Sequence, residues 1–512
     1  MRWFLLGLVV FLALVVIYDV LQRRHTILHN YPIVGHFRYI LEAVGPELRQ
    51  YIVTGNDEER PFSRDQRRWV YASSKRENNT FGFGTDNPVE EMSSYVIVKH
   101  SAFPLGEPDP GPDGRFPVPC AKVLGGWRGR KNAFRPASIV NTSAMSYGSL
   151  SGNAVAAINR GAKMAGCWQN TGEGGISSHH DQGGDLLWQI GTGYFGCRDA
   201  HGNFDLDKLV DRAARYPVRA IEIKLSQGAK PGKGGILPGV KVTPEIAGIR
   251  DVPVWQTVHS PPAHSALHDV DGMLDLIETI ADRTGLPVGI KSAVGDLEFW
   301  EHLAERIAAT GKAPDHIQID GGEGGTGAAP LVFADHVALP FKIGFARVYR
   351  VFVEHGLHDH IVFIGSGKLG FPANGLLALA MGCDLLAVAR EAMLSIGCIQ
   401  AQRCHTGNCP TGVTSNKRWL MAGLDPTLKA ARFANYIATL RHDLMALAHA
   451  TGVPHPSLVP LDRFEILDGH LGGRSATEVF GLEPAWGLPP HLDEVRALCT
   501  PAPAGGGHGL AG

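Results

Sequence analysis

The chain opens on an almost unbroken apolar run from Trp3 to Tyr18, followed by Asp19 and then by Gln22, Arg23 and Arg24. Polar, irregular sequence continues to about residue 135. It is interrupted by a helix-like stretch from Phe37 to Tyr51 and by a Pro/Gly-rich segment from Phe103 to Pro119. From Pro136 the texture changes: short β-branched runs alternate with helical periodicity, the pattern of βα repeats. Eight runs read as strands: Ser138–Ser143, Gly166–Asn170, Ala220–Leu225, Val252–His259, Pro287–Ala293, His316–Asp320, His360–Gly365 and Asp384–Arg390. Their span matches the usual length of a (β/α)8 barrel, about 250 residues. The pattern therefore predicts an α/β chain: a TIM barrel with an N-terminal transmembrane helix and an irregular N-terminal extension. The expected divisions are an anchor over 1–24, an extension over 25–135, the barrel with its cysteine segment over 136–416 and a helical extension over 417–499. A Gly/Ala/Pro-rich tail over 500–512 is expected to be disordered.

With its ends counted, the first run reaches the ~17–25 residues of a membrane helix. A cleaved signal peptide would carry a basic leading region and a small-residue cleavage site. Here Arg2 is the one early charge, and the run ends in Asp19 and two arginines. A core helix is the third reading, against which Trp3 and Tyr18 stand near the two ends of the run. Arg23 and Arg24 on its C-terminal side predict a single-pass protein with a cytoplasmic catalytic body.

Composition adds two points. The formal net charge is −2, which gives no electrostatic reason for a nucleic-acid partner. Glycine is 63 of 512 residues, about 12%, against a typical ~7%. The excess lies in ordered motifs, which points to loops that approach a ligand closely.

Of eight cysteines, Cys398, Cys404 and Cys409 fall in one segment with the spacing C-x5-C-x4-C. Such thiolates can converge on a soft metal centre, and three of them fit a [3Fe–4S] cluster. Zinc with His405 as fourth ligand, or three reduced core thiols, are the alternatives from spacing alone.

The remaining signals sit at strand ends, where a parallel barrel builds its site. The run from Asp320 to Gly327 and the run from Gly365 to Gly370 are glycine-rich, and Ala389-Arg390 closes the last strand. Late βα loops of this kind often bind phosphate through backbone N–H groups, and Lys368 and Arg390 could add charge; plain loop geometry is the alternative from one such turn alone. Lys291 lies in an apolar strand pattern, where a lysine is costly to bury alone. It could face the barrel mouth and stabilise negative charge. Glu173, in a glycine-rich loop, could act as acid or base or orient an amine. Gln227 and Lys230 could hold the carboxylates of a small diacid. Each of these three also suits a solvated loop position.

Taken together, the motifs resemble the FMN-binding synthase domain of glutamate synthase. The match runs from about Pro136 to Asn416 and includes NTSAMSYGSLS, NTGEGG, EIKLSQGAKPGKGGILPG, SPPAH, GIKSAVG, IDGGEGGTGAAP, GSGKLG and the cysteine segment. The resemblance implies FMN at the barrel mouth and a [3Fe–4S] cluster on Cys398, Cys404 and Cys409. Ala144 and Met145 would lie beside the flavin ring and Lys291 at its pyrimidine side. Gly325, Gly365, Gly367, Lys368, Ala389 and Arg390 would form the phosphate end. Glu173, Gln227 and Lys230 match positions lining the pocket for 2-oxoglutarate and 2-iminoglutarate. The implied reaction is reductive amination of 2-oxoglutarate to L-glutamate, with electrons passed to the flavin from an external donor through the cluster.

Lys233 stands where the family usually carries glutamate, and the chain is also similar to stand-alone, membrane-anchored members of the family. An alkylamine-using, N-methylglutamate-type synthase and a membrane-attached flavin/iron–sulfur electron carrier are the competing readings. Cys120 is the first cysteine, so the chain is expected not to hydrolyse glutamine by itself in the family's manner. The reduced chain is expected to turn over 2-oxoglutarate with ammonia and not with glutamine alone. Ammonia-free turnover of glutamine would reveal a nucleophile that the sequence does not show.

Overall fold

A computed structural model describes residues 2–22, 25–80 and 82–499. Arg23 and Arg24, which set the expected orientation, and the 500–512 tail lie outside the described residues. The chain forms two compact units that divide between Arg68 and Trp69.

The first unit contains the helix Arg2–Leu21, with mean hydropathy 2.8 and 6% of its apolar window buried. Among the described residues it is the one helix long and apolar enough to cross a membrane, and a signal sequence passes the same test. Two more helices follow, Thr26–Asn30 and Gly35–Leu48, the latter continuing into a wider turn at Arg49–Val53.

The second unit is built around eight parallel strands: β1 (Val140–Thr142), β2 (Gln169–Asn170), β3 (Leu186–Ile190), β4 (Val218–Lys224), β5 (Val288–Ser292), β6 (His316–Asp320), β7 (Val362–Ser366) and β8 (Leu385–Val388). They pair in sequence order from β2 through β8, and β8 returns to β1. Closure between β1 and β2 is irregular. The Thr142 backbone N–H donates to Trp168 O at 3.3 Å, and the Asn170 N–H to Thr142 Oγ1 at 2.9 Å. This is the (β/α)8 architecture.

Alternation along each strand sorts the side chains. Inward positions low in the barrel are apolar: Trp168, Leu187, Ala220, Val362, Ile364, Leu385 and Ala387 pack together with Cys120 and Leu124. Those last two belong to a segment that plugs the N-terminal end. Buried ion pairs hold the plug there, Arg130 to Asp315 at 3.0 Å and Lys122 to Asp384 at 3.0 Å. Outside, the long helix Pro426–Ala450 lies on Gly152–Ala165. A Cβ at Gly161 would stand 2.6 Å from Ala430 O, so only glycine permits that approach. Ser93–Val98, Phe464–Asp468 and Gly473–Ser475 form a separate antiparallel sheet.

Two strand assignments differ from the sequence pattern. The third barrel strand is Leu186–Ile190, buried at every position. A strand covered on both faces shows no alternation, so its short apolar run carried no period-two signal. Val252–His259 is not a barrel strand. It contains Pro253 and a left-handed Trp255 (φ +60°), and only Val258–His259 is extended, paired antiparallel with Ile236–Leu237. The loop of Gln227 and Lys230 therefore follows the fourth barrel strand rather than the third.

Gly289 in β5 faces His316 of β6, and a Cβ there would overlap the carbonyl and ring of His316. Gly289→Ala should cost roughly 3 kcal/mol or more, as an overpacked core does. Gly248→Ala, in an exposed helical position with open space around it, should be neutral or stabilise by about 0.5–1 kcal/mol. Equal urea midpoints for the two variants would contradict the packing at Gly289.

Candidate functional site

The eight strands end on a single rim, and the lysines there set its geometry. Lys224 on β4 and Lys291 on β5 share one register, and both are at most 9% exposed. Neighbouring parallel strands at equal register point their side chains the same way, here into the barrel. A buried ammonium needs an anionic partner, and the two lysines take different ones. Lys224 Nζ stands 2.9 Å from Glu173 Oε1 and donates to Gln227 Oε1 at 2.6 Å. Lys291 Nζ stands 3.4 Å from Asp320 Oδ2. Asp320 also accepts from the Gly228 N–H at 2.9 Å, which ties the loop after β4 to the end of β6. A Cβ at Gly228 would overlap the Gly321 carbonyl, so this crossing requires glycine.

Glu173 is enclosed by backbone as well as by charge. A Cβ at Gly191 would sit 2.6 Å from Glu173 Oε2, and one at Gly235 would sit 3.2 Å from Oε1. Burial pushes the carboxyl up, but Lys224, Lys230 and Arg250 outweigh it and hold the group at about 2. Lys230 Nζ donates to Gly234 O at 3.3 Å, and burial lowers its pKa against the pull of Glu173. Arg250 ends the helix Pro244–Arg250 and donates to Tyr147 O at 2.9 Å; burial brings it down to about 10. His264 reaches in with Nε2 2.9 Å from Lys224 O, and burial lowers its pKa.

The structure thus brings Glu173, Gln227 and Lys230 together and adds Lys224, Arg250 and His264. Lys224 had a legible signal, since it interrupts an apolar strand as Lys291 does. His264 belongs to the SPPAH motif, whereas Arg250, at the end of a helix, had no local signal because tertiary packing places it.

Deeper in the barrel, Asn170 and Gln189 donate to the two oxygens of Glu222 at 2.9 and 3.1 Å. Burial raises the Glu222 pKa and Lys291 opposes it. Beside this lie Ser143, Gln318 and Ser366, with Gln318 Nε2 donating to Ser143 Oγ at 3.4 Å. Ala144 and the buried Met145 follow Ser143, just beyond β1.

On the far side of the rim, Arg390 crosses the glycine-rich loop after β6. A Cβ at Gly325 would lie 2.6 Å from Arg390 Cδ, and Arg390 Nη2 donates to Glu323 O at 2.5 Å. Gly367 and Lys368 make the turn after β7, where Lys368 is left-handed (φ +55°). Gly365 faces the other way: its missing Cβ leaves room for Cys383, Leu369 and Phe341, each 2.8 Å from that position. Ala389 caps the start of the helix Arg390–Ser395.

The cysteine segment coils through left-handed turns at Gln400, Gln402, Gly407 and Gly412. The Cβ position of Gly327 lies 3.2 Å from Cys404 Cβ, and Lys241 Nζ donates to Cys404 O at 3.0 Å. Cys398 Sγ accepts from the Gln400 N–H at 3.4 Å, and Cys409 Sγ is 3.5 Å from Thr411 Oγ1. All three are free thiols, donors that suit a soft metal. Among the described residues no three or more His, Cys, Asp or Glu side chains gather into a metal-holding group.

Comparison with known proteins adds the following. A sequence profile for the conserved region in glutamate synthase matches residues 130–454. The glutamate synthase large subunit-like protein YerD of Bacillus subtilis (strain 168) is 36% identical over 489 residues, 88% of this chain and 93% of that protein. The archaeal glutamate synthase (NADPH) of Methanocaldococcus jannaschii is 36% identical over 315 residues, 60% of this chain and 58% of that protein's length. Among solved structures, a flavocytochrome b2 variant with sulfite bound is similar with TM-score 0.44 and 13% identity, covering 84% of this chain and 86% of that one.

Glu173 ionises more readily in the folded chain than in the unfolded one. It therefore stabilises the fold above its ordinary value of 4.5, and that contribution fades as pH falls toward about 2. The amount is on the order of 1–3 kcal/mol. Lys224→Met should lower stability at neutral pH and flatten the acid limb of the stability curve, read by urea unfolding from pH 3 to 7. An unchanged acid limb would show that Lys224 does not hold Glu173 ionised.

Proposed function

We infer, from the premise that this chain belongs to the glutamate synthase family, that its rim carries out reductive amination of 2-oxoglutarate. Ammonia condenses with the oxo acid to 2-iminoglutarate with loss of water, and addition of a hydride and a proton gives L-glutamate. The chain is an oxidoreductase, and the substrate is what is proposed. One observation carries that reading. Three cations, Lys224, Lys230 and Arg250, act on the single carboxylate of Glu173. The excess positive charge matches the two carboxylates of a dicarboxylic oxo acid, and charge-assisted bonds to such groups are strong.

FMN, when bound, supplies the hydride. The donors present fit it: Lys291, Ser143 and Gln318 offer a cation, a hydroxyl and an amide for a flavin ring, with Ala144 and Met145 beside it. Gly325, Gly367, Lys368, Ala389 and Arg390 would hold its phosphate end, above Gly365 in the strand. The thiols of Cys398, Cys404 and Cys409 would hold a [3Fe–4S] cluster fed by an external donor.

The chain's own residues supply binding and proton placement. Lys230 and Arg250 hold substrate carboxylates, and Gln227 adds an amide donor. Glu173, with its pKa at about 2, stays ionised at neutral pH. It accepts hydrogen bonds from an ammonium or iminium N–H and does not serve as an acid. The helix Arg2–Leu21 anchors the chain in a membrane as a single span, with the catalytic body cytoplasmic.

Lys230→Ala should raise the KM for 2-oxoglutarate roughly 10–100-fold, the worth of one charge-assisted bond, while flavin content stays normal. Loss of flavin with an unchanged KM would assign this loop to the cofactor. Cys404→Ser should remove the iron and its visible absorbance, and zinc in place of iron in anaerobically purified protein would overturn the cluster. Turnover with methylamine but not ammonia would keep the flavin chemistry and move the chain to an N-methylglutamate-type synthase.

A further inference from the structure

The first unit carries a second apolar surface besides Arg2–Leu21. Along the helix Gly35–Leu48 and the residue before it, Val34, Phe37, Ile40, Leu41, Val44 and Leu48 are 73%, 67%, 56%, 54%, 45% and 40% exposed. Their spacing follows the i, i+3, i+4, i+7 rule for one helix face, and at 100° per residue they span a stripe roughly 120° wide. The opposite face carries Tyr39, Glu42 and Pro46, and Arg38 pairs with Glu42 at 2.8 Å across one turn. A water-facing helix with this many exposed aliphatic and aromatic side chains has an unmet apolar face.

A fixed junction sets where that face lies. Asp19, near the C-terminal end of the apolar helix, is 0% exposed. Its carboxylate accepts from the Ile33 N–H at 3.0 Å, and both of its oxygens stand 3.0 Å from His36 Nε2. Gly35 packs against the short helix between the two, where its Cβ would stand 3.0 Å from Ile27 O and from Leu28 Cδ2. The start of Gly35–Leu48 is therefore tied to the end of Arg2–Leu21. If Arg2–Leu21 crosses a bilayer, Asp19 lies at the boundary between acyl chains and water, since a carboxylate is not held at the bilayer centre. The second helix then begins at the depth where an amphipathic helix binds by its apolar face.

We propose that Gly35–Leu48 is a monotopic membrane helix, its Phe37–Leu41–Val44–Leu48 stripe seated in the headgroup–acyl boundary of the bilayer that holds the anchor. The partner is a phospholipid surface. The inference rests on the reading of Arg2–Leu21 as a membrane span and goes beyond it, because a single span leaves a body free to tilt, whereas a span joined to an interfacial helix fixes the first unit against the membrane plane. Asp19 and His36 act here as positioning residues.

The test uses the full chain in phospholipid vesicles or native membranes. A photocrosslinking amino acid is placed at position 41 or 44, and at 42 as the opposite-face control. Lipid adducts at 41 and 44 should exceed those at 42 by about tenfold, as expected for a face buried among acyl chains. Asp19→Asn should leave the chain in the membrane fraction while lowering lipid adducts at 41, because the junction loosens. Recovery of the full chain in the soluble fraction would sink the anchor itself. Membrane recovery with equal adducts at 41 and 42, or with adducts to protein in place of lipid, would overturn the interfacial helix alone.

Discussion

Two lysines at one level of a parallel barrel impose most of what is seen at the rim. Lys224 and Lys291 pair in register across β4 and β5 and both point inward. Two unscreened ammonium groups at that spacing would repel each other in a region with little water. The fold answers with a carboxylate for each, drawn from different places: Glu173 from the loop after β2 and Asp320 from the end of β6. The loop after β4 is then drawn over the pair, through Gln227 to Lys224 and through the Gly228 N–H to Asp320. Lys230 arrives beside Glu173 as a consequence. Without the two inward lysines, each carboxylate loses its ion-pair partner at this level.

The same strands carry a gradient. Low in the barrel the inward side chains are apolar and hold the plug residues Cys120 and Leu124. One step higher, Asn170 and Gln189 satisfy Glu222. At the top lie the lysines and their carboxylates. Each strand contributes to more than one level because inward residues recur at every second position. A single register thus fixes both a dry base that stabilises and a charged rim that can bind. Buried polar groups must be satisfied, and the lysines meet that need by pairing with Glu173 and Asp320.

The first unit follows a different logic. Leu28 and Phe62 are buried there, but most of its large apolar residues stay exposed on Arg2–Leu21 and on Gly35–Leu48. The junction between those two helices buries a polar group instead, Asp19 against His36 and the Ile33 N–H. That inversion suits a segment whose apolar surroundings are supplied from outside the chain.

The sequence by itself determined the kinds of element and much of the chemistry. The apolar run near the N-terminus, the βα rhythm, the glycine-rich strand ends, Lys291 and the cysteine spacing were all legible, because each depends on neighbours a few residues away. Lys224 is legible by the same reasoning as Lys291. The third barrel strand was not, since a run buried on both faces has no alternation, and Val252–His259 imitated a strand that Pro253 and the left-handed Trp255 prevent. Only the tertiary structure decided that Glu173, Lys224, Lys230 and Arg250 share one charge cluster. Their mutual distances are set by strand register and loop return across the barrel, and neither quantity is written in local sequence.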